Sequence, residues 1–97
     1  FARDKLIYNR WGRRKIALAL RAKRVDDDVV ADALDEIDNE EYVSVLNAMM
    51  KARAKVIKEG DTYEGRAKLY RAAVSWGFES QLVSKIIRAG GLWPDDE

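Results

Sequence analysis

The sequence predicts an all-α protein made of tandem three-helix repeats, with six helices in all. Three observations lead there. Apolar residues recur at spacings of one, three and four, while β-branched residues never alternate with polar ones over a strand length. Only one Pro interrupts the 97 residues, and 36% charged against 47% apolar residues is the balance of a helical domain. The chain also resembles itself: sliding Gly12 onto Gly65, a shift of 53 positions, aligns Arg13, Lys15, Ala19 and Val30 with Arg66, Lys68, Ala72 and Val83 as identities. Ile16, Leu20, Val25, Val29 and Leu34 then meet Leu69, Ala73, Phe78, Leu82 and Ile87 as matching apolar positions. A repeat of this kind assigns residues 1–37 and 38–91 to two three-helix units and leaves residues 92–97 as a frayed acidic tail.

Each helix follows from its own signals. The first spans Ala2 to Trp11, with Leu6 and Ile7 inward and Gly12 after it. A second runs from Arg13 to Lys23, with Ile16, Ala19, Leu20 and Lys23 on one side, and Val25 anchors the turn that follows. The third starts from an Asp cap among Asp26 to Asp28 and buries Val29, Val30, Ala33, Leu34 and Ile37. The fourth is the longest, capped by Asp38 or Asn39 and stopped by Gly60. Its inward stripe is Tyr42, Val45, Leu46, Met49, Ala52 or Arg53, Val56 and Ile57. In the fifth, Asp61 and Glu64 have capping-box spacing, Leu69, Tyr70, Ala73 and Val74 face in, and Gly77 is the natural left-handed stop. The sixth is capped by Glu79 or Ser80, buries Leu82, Val83, Ile86 and Ile87, and ends at Gly90-Gly91. One unit of this size would be marginal alone, and stacking a second supplies the missing burial.

Composition excludes several kinds of chemistry. Without Cys there is no disulfide framework and no thiolate metal site; without His, imidazole acid–base work and ordinary zinc ligation are gone. Phosphate-binding Gly loops are absent, and no catalytic constellation, cofactor or metal is expected. The Asp26-Asp27-Asp28 run lacks the spacing and the Gly of a calcium loop and reads as helix capping. No apolar run reaches the ~18 residues of a membrane span. A monomer in the cytoplasm, free of membrane, is the expectation.

Charge is where the sequence points outward. The net charge is only +1, yet residues 1–25 carry nine bases against Asp4, and residues 26–41 carry nine acids and no base. Arg10, Arg13, Arg14, Arg21, Lys23 and Arg24 form a belt around the second helix, with Arg14 and Arg21 on one face. Two readings stay open: a solvated surface with helix-end cations, or a contact surface for phosphate or an acidic protein. Trp11 and Trp76 stand beside Gly at helix ends and are read as seals between helices; Trp93 is either a staple on the core or an exposed contact. Met49-Met50 is read as core filler. An alternative is a helix-turn-helix in which Ala73, Gly77 and Val83 set the turn and helix 80–88 reads DNA through Ser80, Gln81, Ser84, Lys85 and Arg88. Its repeat counterpart, Leu20, Arg24 and Val30, lacks the turn Gly.

From Phe1 to Arg88 the residues resemble the RecX family, bacterial regulators of the RecA recombinase. Phe1-Ala2-Arg3 is similar to the start of a family repeat. Gly12-Arg13-Arg14-Lys15-Ile16 through Leu20 to Lys23-Arg24-Val25 follows its Gly, basic, Ile, Leu, Lys-Gly-Val/Ile progression. Asp27-Asp28-Val29-Val30 with Ala33-Leu34 matches the next helix, and Trp76-Gly77-Phe78 with Val83 and Ile86-Ile87 resembles the Arg-Gly-Phe turn and last helix. Arg24 stands where the family has Gly, and Trp76 where it has a basic residue. The resemblance implies an elongated, curved molecule that binds RecA and its filament on single-stranded DNA, with at most weak non-specific DNA contact. It implies lowered filament extension, ATPase, recombinase and coprotease activity. It also implies a repeat upstream, in keeping with a first residue that is Phe, so the chain is expected to be part of a longer one.

Overall fold

The computed structural model describes residues 1–94 and contains six helices: α1 (Ala2–Asn9), α2 (Arg13–Ala22), α3 (Asp27–Asp35), α4 (Asn39–Ala54), α5 (Tyr63–Ser75) and α6 (Ser80–Ala89). No strand forms among the described residues. α1 packs against α2, α3 and α4, α4 continues onto α5, and α5 onto α6, which gives a body 49 Å long and 21 Å across. One continuous core runs through both halves, from Ala2, Leu6, Ile16 and Leu20 to Leu69, Phe78, Val83 and Ile86.

The repeat is visible in the backbone. After α2, the Arg24 N–H donates to the Arg21 carbonyl (2.9 Å) and the Val25 N–H to Leu20 (3.3 Å). After α5, Gly77 donates to Val74 (3.0 Å) and Phe78 to Ala73 (3.4 Å). These are the paired bonds of one C-terminal capping motif at positions 53 apart, and it needs a left-handed residue. Gly77 supplies it with φ 98° and Arg24 with φ 61°, so the turn that lacks Gly closes with Arg in the left-handed region. An L side chain there costs about 1–2 kcal/mol, partly offset by the greater chain entropy of Gly. Arg24→Gly is therefore expected to stabilise the fold by about 0.5–1 kcal/mol, read as a higher denaturant midpoint at unchanged slope. A lower midpoint would show that the arginine contributes more than its backbone costs.

Several expectations need correction. α1 ends at Asn9, not Trp11, because Arg10 turns left-handed (φ 60°), and α2 ends at Ala22. On α2 the buried small residue is Ala17; Ala19 is half-buried and Lys23 exposed, its ammonium 5.0 Å from the Phe1 ring centroid. Val29 is 54% exposed while Val30 is buried. α4 stops at Ala54 rather than at Gly60, since Val56 and Ile57 donate only three residues back, to Arg53 (3.1 Å) and Ala54 (3.2 Å), and the chain tightens out of the helix. The face of α4 that is buried is Tyr42, Leu46, Met50 and Ala54, a strict four-residue spacing, with Val45 and Met49 at its edge and Val56 72% exposed. Thr62, not Asp61, caps α5 by accepting from the Gly65 N–H (3.1 Å); Asp61 instead meets Arg66 at 2.6 Å. Asp38 caps α4 by accepting from Glu41 (2.9 Å). The tail begins later than residue 92, because Leu92 is buried and Trp93 packs on the core; residues 95–97 lie outside the described residues.

Candidate functional site

The sharpest local geometry is a joint where the start of α2 meets the α5–α6 turn. A helix leaves its first N–H groups without partners inside the helix. Here the other half of the chain receives three of them: Gly12 donates to the Trp76 carbonyl (2.9 Å), Arg13 to the Tyr42 hydroxyl (2.8 Å) and Arg14 to the Gly77 carbonyl (2.9 Å). Contact this close requires bare backbone on both sides. A Cβ on Gly12 would lie 2.3 Å from the Gly77 carbonyl carbon, and one on Gly77 would lie 2.4 Å from the Lys15 Cβ.

Side chains seal the joint. Tyr42 is fully buried, its ring 5.2 Å from that of Phe78, and its hydroxyl donates to Glu79. The Arg13 guanidinium lies 3.8 Å from the Tyr42 ring centroid and pairs with Glu79 at 3.1 Å. Burial pushes the Tyr42 phenol well above its ordinary range; the Arg13 N–H opposes that shift and the Glu79 carboxylate adds to it. Glu79 precedes α6 as its cap residue, yet its carboxylate makes no bond to the helix it starts. Sequence reasoning assigned Glu79 a cap and Tyr42 a place in the core stripe, and it missed their pairing. The available signal was the hydroxyl, since a buried tyrosine needs a partner for it.

The six basic candidates separate around this joint. Arg13 turns inward to Glu79, Tyr42 and Asn39. Arg14 and Arg21 stay on the outer face of α2 with Leu18 between them, and the three line a cleft of about 330 Å³ together with Ala17, Leu34 and the paired Arg13 and Glu79. Leu18 is 65% exposed. Arg21 reaches Asp27 at 3.4 Å, while Arg14 makes no ion pair among the described residues. Lys23 and Arg24 are exposed at the C-terminal end of α2, and Arg10 lies apart, beyond α1. The structure thus brings Arg14 and Arg21 together on the open side of the cleft, puts Arg13 in its wall paired with Glu79, and leaves Arg10 apart.

Both tryptophans read as seals are half-buried against the core and carry cations. Lys5 and Lys15 lie 5.1 and 5.0 Å from the Trp11 ring centroid, and Arg53 lies 6.0 Å from that of Trp76. Of the helix-turn-helix residues, Ala73, Gly77 and Val83 are buried, Gln81, Lys85 and Arg88 are exposed, and Ser80 and Ser84 are half-covered. None of the helices in the described residues is long and apolar enough to cross a membrane.

Comparison with known proteins agrees with this architecture. Residues 1–34 match the family model described as RecX, second three-helix domain. The chain is 35% identical over 79 residues to "Regulatory protein RecX" of Clostridium perfringens strain SM101, covering 79% of this chain and 37% of that protein. It is 32% identical over 90 residues to "Regulatory protein RecX" of Clostridium botulinum strain Eklund 17B, covering 91% and 42%. A further protein of that name, from the Alaska E43 strain, is 34% identical over 92 residues. The chain spans about two fifths of the length of these curated relatives. No solved structure matches it. A matched domain over the first three helices and a shared name across relatives aligned to most of its length lead to one assignment: the chain belongs to the RecX family.

Proposed function

We propose that this chain belongs to a cytoplasmic regulator that binds RecA and RecA–DNA filaments and limits filament extension, ATPase and recombinase or coprotease activity. The observation that carries the reading is the outer face of α2. Arg14, Leu18 and Arg21 stand at i, i+4 and i+7 around a shallow cleft, with Lys23 and Arg24 at the helix end. An exposed leucine flanked by cations suits a partner surface that offers carboxylates around an apolar spot. The body is 49 Å long, which lets one molecule reach more than one subunit of a polymer. The name shared by the relatives, a regulatory protein, supports the same reading.

Co-sedimentation with preformed RecA–single-strand filaments tests it, with bare DNA and free RecA as controls and the filament ATPase followed in parallel. Reversal of the pair, Arg14→Glu with Arg21→Glu, is expected to weaken filament binding about tenfold at moderate salt, the equivalent of about 1.4 kcal/mol. Unchanged affinity would remove the pair from the contact surface. Binding to bare duplex that disappears with Lys85→Ala and Arg88→Ala would transfer the function to α6 as a DNA reader.

A further inference from the structure

A second groove lies at the other end of the chain, between the last turns of α4 and the outer side of α5. It encloses about 540 Å³ and joins a neighbouring hollow of about 400 Å³, because both are lined by Arg53 and Val56. Its apolar lining is Val56, Ile57 and Ala72, and the hollow adds Met49, Ala52 and Trp76. Val56 is 72% exposed, a β-branched residue left in water just beyond the helix end. Cations form the rim: Arg53, Lys58, Lys68 and Arg71. One acid, Glu59, lines the groove and is engaged by Lys68, which holds its carboxyl below the ordinary range. Arg53, Lys58 and Arg71 enter no ion pair among the described residues.

We propose that this groove docks an acidic amphipathic helix of a partner protein. Such a helix would lay its apolar stripe on Met49 and Val56 and set carboxylates against Arg53, Lys58 and Arg71. Met49 lies on the last turns of α4 and Val56 just past its end, so the apolar strip runs along the helix end for more than one turn. A nucleic-acid strand fits the site less well. Its phosphates would meet the rim, but the one aromatic ring in the lining, Trp76, is half-buried with the Arg53 guanidinium 6.0 Å from its centroid, and the other apolar lining is aliphatic, so stacking lacks an open face. None of these residues belongs to the α2 face proposed for RecA, so the two surfaces are testable apart.

The test is fluorescence anisotropy of a labelled synthetic peptide, about 15 residues long, with Leu at i, i+3, i+4 and i+7 and Glu at most other positions. Saturable binding to the chain is expected, and Arg53→Glu with Arg71→Glu should weaken it about tenfold. Arg14→Glu with Arg21→Glu should leave it unchanged, and circular dichroism should show equal helicity in all variants. Val56→Ser, at an exposed position that the fold tolerates, should lower affinity as well. Equal binding of a peptide with the same composition in scrambled order would reduce the groove to a patch of charge and overturn the proposal. Displacement of the peptide by a single-stranded oligonucleotide would assign the site to nucleic acid instead. A doubled mass of the chain alone, abolished by Arg53→Glu, would make the groove an interface between copies. No effect of either Arg53→Glu with Arg71→Glu or Val56→Ser on peptide binding would also overturn it.

Discussion

Gly77→Ala is expected to destabilise the chain by about 2–5 kcal/mol, the sum of a left-handed penalty of about 1–2 kcal/mol and overpacking of about 1–3 kcal/mol. At φ 98° the new methyl would be strained in any surroundings, and its surroundings are the Lys15 Cβ at 2.4 Å. That Cβ is fixed by its backbone, and the Lys15 nitrogen follows at 2.8 Å; neither can turn aside as the end of a long side chain does, so α2 and the α5–α6 turn must separate. The Arg14 N–H, which donates to the Gly77 carbonyl at 2.9 Å, would lose its acceptor together with the Gly12 N–H. Gly12→Ala should act in the same direction through sterics alone, since the φ of Gly12 is −76°, an ordinary value for any residue. Denaturant unfolding gives the energy. Hydrogen exchange at Gly12 and Arg14 gives the location, and unaltered protection there in Gly77→Ala would refute the joint as described.

The second large effect belongs to Tyr42. Tyr42→Phe keeps the ring against Phe78 and removes only the hydroxyl, which accepts from the Arg13 N–H at 2.8 Å and donates to Glu79. Two polar groups then lose their partner in a part-buried place, at a cost of about 1–3 kcal/mol. Acidity gives an independent readout. The folded phenol is held above the ordinary value of 10.0, chiefly by burial, so the unfolded chain releases that proton first. The stabilisation tied to this group is fully present below about pH 10 and declines as the pH rises past that value toward the higher folded-state one. Tyr42→Phe should therefore start less stable and lose less on going alkaline. Parallel stability curves for the two proteins above pH 10 would contradict this account.

Sequence patterning located all six helices because each carries enough apolar residues at helical spacing to fix its existence. Rotation was less legible. Wherever two apolar residues are adjacent, as at Val29-Val30, Met49-Met50 and Val56-Ile57, the periodicity cannot say which one faces in, since neighbours on a helix differ by about 100°. In all three pairs the second residue is the more buried. The end of α4 was hidden for a related reason: no Gly or Pro stands between Asn39 and Gly60, and the exit at Ala54 comes with the packing of Ile57 on the core rather than with a local breaker. Of the candidate site, the shared face of Arg14 and Arg21 was readable because it lies within one helix. The inward turn of Arg13 was not, because its partners Tyr42 and Glu79 are 29 and 66 residues away.

The bare-backbone joint also bears on how the two proposed surfaces would meet a partner. Gly12 and Gly77 meet through main-chain atoms, and main-chain bonds are far stiffer than surface side chains. The spacing between the proposed α2 face and the proposed α4–α5 groove is then set by backbone contact rather than by the residues that decorate either surface. With both proposed surfaces engaged at once, a protein made this way would act as a ruler. It would favour binding spots that recur at its own interval over a lattice of a different pitch.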